Sequence, residues 1–593
     1  MKNNPIFRFI RSLYRFIRSF IFCVGLLVVI AVVLLVVKPG TISFESPEYT
    51  STDKIMLKMK LTGELLDKSP EANSFSDAVI SFFKKDENQL YAFHMKSVLD
   101  RAKKDPQVLG LYLNLGTLQG SLSEFEQLRK LLSEFKDAGK RLEVWTPMLE
   151  NKTYFLASLA DKLHIAPEGE VEVPGPMFQL IYGGEAFRKL GVAFEVIRMG
   201  QYKSAFEPLV SDQPSPETQK AYSAIEESLR KHLLSKIAQG RKIELKVAEG
   251  WMRRSLFTAK EAFLEKLVDG LSYREQFEDQ ISKEAKLVEI AKYHKPKPLK
   301  SKSLIKKEGI AFIEAIGEMY IEPSAMNQSS TLDFEHLEEQ LKWARDEQDV
   351  KAVVLRVDSP GGSSIAADLL WEDVRRLAEV KPVVVSMGAY AASGGYYMSA
   401  SATKIIAHPT TITGSIGVIG LVPNFEAFKQ KYGVSFYNIS ESDRKNLLNP
   451  GSKMTAEDRN ILQKQVSSAY EAFVTRVANG RKKSFTEIDS VAQGRVWTGA
   501  QAKELGLVDE LGGLPEAFHR AKELAKLNVD QEYPLLHYKS PENWRFLSHF
   551  SLDNLTKTQI IENIPLLNSL SRWMQGVPKE KVLTLLPQRL EMH

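Results

Sequence analysis

Among its 593 residues the chain has one cysteine, Cys23. That excludes an intrachain disulfide and a thiolate zinc site. The ten histidines include no HExxH or comparable ligand spacing, so no resident metal or other cofactor is expected. An excess of one charge is also missing. The formal net charge of +5 is small for this length and gives no reason to expect a nucleic-acid partner. Long apolar runs are confined to one place, Phe20 to Val37 (FIFCVGLLVVIAVVLLVV), which is long enough to cross a bilayer. Lys2, Arg8, Arg11, Arg15 and Arg18 precede it without an acidic residue. That asymmetry places the N-terminus in the cytoplasm and the rest of the chain across the membrane. A cleaved signal peptide would have a shorter apolar run and an A-x-A-like site, which VVKPGTISF lacks. The expectation is a basic N-terminus at 1–19 and an uncleaved anchor at 20–37.

What is present is ordinary in composition, with 44% apolar and 26% charged residues, as in a folded protein. The length is too great for one core, so two or more domains are expected. Self-similarity divides the body. Gly191-Val192-Ala193-Phe194 through Pro208 matches Gly433-Val434-Ser435-Phe436 through Pro450 at an offset of 242 (433 minus 191). At that offset Val108–Ser121 lies over Val350–Ser363, and Ala160-Asp161-Lys162-Leu163 lies over Ala402-Thr403-Lys404-Ile405. Gly240-Arg241-Lys242 matches Gly480-Arg481-Lys482, and Leu267-Val268-Asp269 matches Leu507-Val508-Asp509, both at 240 (480 minus 240). The body is therefore a duplication. Its first repeat covers 45–294 and its second 309–540, joined by a Lys-, Pro- and Ser-rich linker at 295–308. A tail at 541–593 has no counterpart, and its apolar clusters are expected to pack on the body, with contact to the membrane surface as the alternative.

Within the second repeat, β-branched runs (Ile310–Ile316, Ala352–Val357, Val383–Ser386, Lys404–Ala407) alternate with amphipathic stretches (Leu332–Glu347, Ala366–Glu379, Ala456–Ala478). This alternation predicts parallel βαβ units with right-handed crossovers.

The segment Ser386–Gly420 is crowded with Gly, Ala and Ser, which lets backbone approach backbone or a ligand. It offers two candidate nucleophiles, Ser393 in AASGG and Ser415 in TGSIG. Upstream, Asp358-Ser359-Pro360-Gly361-Gly362 ends an apolar run, and a glycine turn after a strand presents backbone N–H groups to a developing oxyanion. The first repeat has no serine between Ser158 and Ser204, and Thr117-Leu118-Gln119-Gly120 stands where the second has Ser359-Pro360-Gly361-Gly362. One serine-hydrolase site per chain follows. The serine needs a base. His408 is seven residues before Ser415 (415 minus 408), but no acidic residue nearby would orient it, and a loop or rim position is expected for it. Lysine is the other option, if burial lowers its pKa. Lys203 in Gly200-Gln201-Tyr202-Lys203-Ser204-Ala205 lies among small and aromatic residues; its repeat partner Lys445 sits in a polar run.

With anchor, MGQYKSAFEP, linker, DSPGG, AASGGYY and TGSIGV in this order, the chain resembles the bacterial signal peptide peptidases of the long, duplicated SppA type, serine peptidase family S49. The resemblance covers nearly the whole chain. It implies an α/β fold of tandem duplicated ClpP/crotonase-like domains with parallel βαβ units behind one N-terminal transmembrane helix. By motif it implies Ser415 as nucleophile and Lys203 as general base, a site composed from both repeats. The oxyanion donor would be Gly362, with Gly361 as alternative. Short, unduplicated relatives carry both residues in one repeat, which keeps Lys445 open as a base. Ser393 stays open as a nucleophile because Clp-type proteases place theirs in a similar turn; otherwise AASGGYY packs the site. The implied activity is cleavage of remnant signal peptides and other short or unfolded hydrophobic peptides. It would take place at the extracytoplasmic face of a bacterial inner membrane, in a homo-oligomer that is a tetramer for this type. An acyl-CoA enzyme of crotonase type and a catalytically silent membrane scaffold are the alternatives.

Overall fold

In the computed structural model, residues 52–66, 89–293, 308–322, 331–435, 450–531, 533–538 and 582–585 are described. The expected anchor at 20–37, most of the linker and tail, and Lys445 lie outside the described residues.

The largely apolar strands Val108–Gln119 and Val350–Ser359 have the near-continuous burial of strands covered on both faces. Each lies inside its own sheet. The first sheet runs Lys286–Glu289, Ile55–Leu66, Val108–Gln119, Arg141–Thr146, Lys162–Ile165, Gly270–Leu271, with Gln89–Tyr91 also beside Ile55–Leu66. Every pairing in it is parallel. The second runs Val496–Thr498, Ile412–Gly414, Val383–Ala392, Val350–Ser359, Gly309–Ile316, Leu535–Leu536, and Lys404–Ala407 with Glu510–Leu511 extends it beside Val383–Ala392. It is parallel except where Ile412–Gly414 meets Val496–Thr498. Each sheet has its own apolar core, one built around Leu111, Leu113 and Phe125, the other around Val353, Leu355 and Tyr396.

The sequence islands that repeat are the joints that this architecture needs twice. Gly240 and Gly480 let the two 26-residue helices Pro216–Arg241 and Ala456–Arg481 approach a neighbouring turn. A Cβ at Gly240 would lie 2.5 Å from the Ser158 carbonyl oxygen, and one at Gly480 would lie 2.0 Å from that of Ala400. The next residue closes an ion pair onto the Leu-Val-Asp island, Arg241 to Asp269 at 2.6 Å and Arg481 to Asp509 at 2.8 Å. Those aspartates accept from the backbone N–H of Leu163 and Ile405, each at 2.8 Å, which explains the third island. Lys242 and Lys482 end the helices in the left-handed conformation at φ 54° and 55°.

The repeats meet on the Gly-, Ala- and Ser-rich segment Ser386–Gly420 and the strand that runs on from it. Ala193–Met199 of the first repeat (the lysine strand) pairs antiparallel with Val418–Asn424 of the second (the serine strand), from Met199 opposite Val418 to Ala193 opposite Asn424. Ala221, Ile225 and Leu229 on the helix Pro216–Arg241 bury against Ala392, Ile412 and Val496. The tail does pack on the body where it is described: Val582–Leu585 (the tail strand) joins the same small sheet.

Candidate active site

Ser415 follows the strand Ile412–Gly414 and is held at φ 52°. A non-glycine residue at positive φ is uncommon and costs on the order of 1–3 kcal/mol, so surrounding contacts must fix it. Its N–H donates to the Arg495 carbonyl at 2.7 Å, and the next carbonyl, of Ile416, accepts from Gly494 N–H at 2.7 Å. Its side chain is buried.

Lys203 comes from the other repeat, in the turn after the lysine strand, where its N–H donates to the Gly200 carbonyl at 3.1 Å. The pairing of lysine strand with serine strand brings this turn to Ser415. The loop Gln493–Arg495 packs over it: Tyr202 N–H donates to the Gln493 carbonyl at 2.9 Å, and a Cβ at Gly494 (φ +75°) would lie 2.6 Å from the Lys203 backbone nitrogen. The Lys203 side chain is fully buried, at 0% exposure. Its Nζ lies 3.0 Å from Ser415 Oγ, 2.9 Å from the Ser415 carbonyl oxygen and 2.7 Å from Ser393 Oγ. Burial pushes its pKa well below the ordinary lysine value of 10.5, because a desolvated ammonium is costly. All three of these partners are neutral oxygens.

Ser393 is therefore more than packing. It caps the short helix Gly394–Ser399 at φ 55°, ψ −114°, fully buried, and this left-handed turn aims its hydroxyl at Lys203. The small residues behind it serve the close packing expected of them, for a Cβ on Gly395 would lie 2.7 Å from the Ser359 carbonyl oxygen.

Gly361, Gly362 and Ser363 form a short strand (the glycine strand). Gly361 is at φ +104° and its N–H donates to Ser359 Oγ at 3.2 Å. A Cβ on Gly362 would lie 2.0 Å from the Met319 carbonyl oxygen, so only glycine fits. Ser363 caps the following helix Ser364–Val380 by accepting from Ala366 N–H.

His408 is not at a rim. It is 4% exposed, its Nε2 has no hydrogen-bond partner, and burial with the nearby Arg356, Lys130 and His232 pushes its pKa down to about 3. The glycines of distant segments cover it: a Cβ at Gly499 would lie 2.0 Å from its carbonyl oxygen and one at Gly513 2.7 Å from its Cε1. No bond joins it to Ser415. The Gln493–Arg495 loop was not singled out in the sequence. The signal was there, because Gly494 stands where the first repeat has Arg254 (494 minus 240).

Peptidase family S49 matches residues 134–288 and 375–528, one copy in each half. Protease 4 of Haemophilus influenzae is 29% identical over 547 residues, covering 88% of this chain and 88% of that protein. Protease 4 of Salmonella typhi is 33% identical over 461 residues, covering 74% and 73%. A chloroplastic serine protease SPPA of Arabidopsis thaliana is 28% identical over 451 residues, covering 74% and 67%.

Proposed function

The chain belongs to peptidase family S49 and is a serine protease, and from that premise we propose that it cuts peptides with a dyad of Ser415 as nucleophile and Lys203 as general base. The observation that carries this reading is the fully buried Lys203 Nζ, 3.0 Å from Ser415 Oγ and, among the described residues, joined to no carboxylate. A neutral amine has two N–H donors and one lone pair. The Ser415 carbonyl can only accept, and Ser393 Oγ is the nearer of the two hydroxyls, so these take the two N–H groups. The lone pair is left for the Ser415 hydroxyl proton.

Lys203 then takes that proton as Ser415 Oγ attacks the peptide carbonyl, and the ammonium so formed protonates the leaving amine. A water activated by Lys203 releases the acyl group. The oxyanion is held by a backbone N–H of the glycine strand. By the resemblance the donor is Gly362, with Gly361 as the alternative. One such donor is worth on the order of 10²–10³ in rate.

The finer reading follows the resemblance: a ClpP/crotonase-type body held on a bacterial inner membrane by residues 20–37, with its catalytic part outside the cytoplasm. It assembles as a homotetramer, needs no cofactor, and degrades cleaved signal peptides and other short or unfolded hydrophobic peptides. Family membership favours peptide hydrolysis over an acyl-CoA enzyme or a silent scaffold. A fluorophosphonate probe tests the dyad. Wild type is expected to label, Ser415→Ala and Lys203→Ala to lose labelling, and Lys445→Ala to keep it. Labelling that survives in Ser415→Ala but not in Ser393→Ala would move the nucleophile to Ser393, and loss only in Lys445→Ala would move the base to the second repeat.

A further inference from the structure

Three consecutive residues of one loop reach both halves of the proposed site. The Gln493 carbonyl accepts from Tyr202 N–H at 2.9 Å, and Gly494 N–H donates to the Ile416 carbonyl at 2.7 Å. The Arg495 carbonyl accepts from Ser415 N–H at 2.7 Å, and the Arg495 guanidinium lies over the Tyr202 ring, 5.2 Å from its centroid. The spacing of the Lys203 turn from the Ser415 turn thus depends on where this loop sits. Two of its residues are left-handed, Gln493 at φ 53° and Gly494 at φ 75°. Glycine adopts that conformation freely, but glutamine does so where its surroundings hold it.

The Gln493 side chain supplies the hold. Its Nε2 donates to Asp489 Oδ1 at 2.7 Å and to the Tyr470 hydroxyl at 3.0 Å, and its backbone N–H donates to the same hydroxyl at 3.3 Å. The Tyr470 hydroxyl donates to Asp489 Oδ1 at 2.5 Å. These four bonds are mutually consistent: the phenol gives its one proton to the carboxylate and accepts on its lone pairs, and both amide hydrogens of Gln493 find an acceptor. Tyr470 is buried on the helix Ala456–Arg481, and Asp489 stands on the helix Phe485–Val491. Burial and the adjacent carboxylate push the phenol's pKa up, so the proton that orders the network stays in place at neutral pH. The first repeat, which has no serine to match Ser415, has Arg230, Glu249 and Arg253 at these positions (470, 489 and 493, each minus 240). There Arg230 pairs with Glu226 at 3.2 Å, and Glu249 and Arg253 are exposed. The network accompanies the copy that carries Ser415.

We infer that Tyr470 and Asp489 are positioning residues for the hydrolytic reaction, acting through Gln493 to fix the loop that spaces Lys203 from Ser415. The kinetic effect rests on the proposed dyad; the effect on the loop does not. With the network broken, Gln493 is free to leave its left-handed conformation, and Gly494 moves off the Lys203 backbone that it packs against. Water then reaches the amine, and its depressed pKa rises toward the ordinary lysine value.

The test compares the full-length wild type with Tyr470→Phe, Asp489→Ala and Gln493→Gly. Glycine suits φ 53°, so a loss in Gln493→Gly does not come from backbone misfit. Each variant is expected to lower kcat for a short peptide about 10-fold with KM within about twofold, and to move the acid limb of the pH profile to higher pH. Asp489→Asn keeps an acceptor at Oδ1 and should recover kcat to within about threefold of wild type, with the limb restored. A network that served stability alone would lower the unfolding midpoint and leave kcat and the acid limb in place. Hydrogen exchange reads the loop without catalysis. In Gln493→Gly the amides of Tyr202 and Ser415 should exchange about 10-fold faster, while those of the helix Pro216–Arg241 keep their wild-type rate. Wild-type kcat and acid limb in all three variants, or unchanged exchange at Tyr202 and Ser415, overturns the inference. Turnover that survives in Ser415→Ala overturns the dyad instead, and faster exchange at those two amides then still supports the positioning role.

Discussion

A lysine buried without a counter-ion is stable only as an amine, and the consequences can be measured at the residues concerned. Under the proposed dyad, kcat/KM rises with pH as Lys203 loses its proton and levels off well below pH 10.5, since burial depresses that pKa. Ser393 Oγ, 2.7 Å from Nζ, accepts from the ammonium and stabilises it. Ser393→Ala is therefore expected to lower kcat about 10-fold or more with little change in KM, and to move the acid limb of the pH profile to lower pH. A role in packing alone would leave that limb in place. Lys203→Met is expected to cost about 10²–10⁴ in rate and yet raise the unfolding midpoint at neutral pH. Unfolded lysine binds a proton that the native one sheds, so stability falls as pH drops from 10.5 toward the native pKa, at ~1.4 kcal/mol per unit. Methionine removes that loss. His408 has the same sign at lower pH. Its native value of about 3 lies below the ordinary 6.5, so the unfolded chain takes up the extra proton between those values and stability drops as pH falls through that window. His408→Gln should flatten the urea-midpoint difference between pH 7 and pH 4 while leaving fluorophosphonate labelling unchanged.

At the scale of elements, tight backbone approaches position the groups that react. The loop Gln493–Arg495 holds Ser415 through the Arg495 carbonyl and lies against the backbone of Lys203 at Gly494. Gly494→Ala would force a Cβ into the Lys203 turn, and activity is expected to fall at least 10²-fold while the unfolding midpoint shifts by about 1–3 kcal/mol, the usual cost of overpacking. Gly240→Ala and Gly480→Ala make a matched pair, since both meet a carbonyl oxygen at 2.0–2.5 Å. Both should destabilise to a similar degree, measured by urea unfolding. These joints also explain which parts of the fold were legible. The motifs of the resemblance single out Ser415 and Lys203; duplication adds that the first copy has no serine to match Ser415 and that Lys203, unlike Lys445, lies among small and aromatic residues. The strands could be found because parallel sheets bury continuous apolar runs. The bond from Lys203 to Ser393 could not, because it depends on a left-handed turn whose direction no local pattern encodes. The sequence puts His408 at a loop or rim for want of an acidic residue nearby, yet the chain that covers it, at Gly499 and Gly513, is about a hundred residues away (513 minus 408). The tail strand read only as apolar sequence, because its partners lie more than 160 residues upstream (582 minus 420).

For the whole molecule, the decisive property under the proposed dyad is that one chain supplies both Lys203 and Ser415. The lysine strand and serine strand pair along seven positions, from Ala193 to Met199. The ion pairs Arg459–Glu195 and Lys130–Glu516 also cross between repeats. The helix Pro216–Arg241 buries Ile225 against Ile412, two residues before the Gly414–Ser415 turn. Separating Lys203 from Ser415 would require breaking that sheet and its apolar contact together. An assembly that shared sites between subunits would behave otherwise. There, a subunit with an intact serine could borrow a lysine from its neighbour, so two inactive variants would restore each other. Here, Lys203→Ala and Ser415→Ala co-expressed with different affinity tags and purified through both tags should yield mixed oligomers with no peptide hydrolysis above that of either variant alone. Wild type mixed with Ser415→Ala should retain activity in proportion to its wild-type subunits. Restored hydrolysis in the mixed variants would mean that Lys203 reaches a serine of another chain, which the lysine-strand and serine-strand pairing within one chain does not allow.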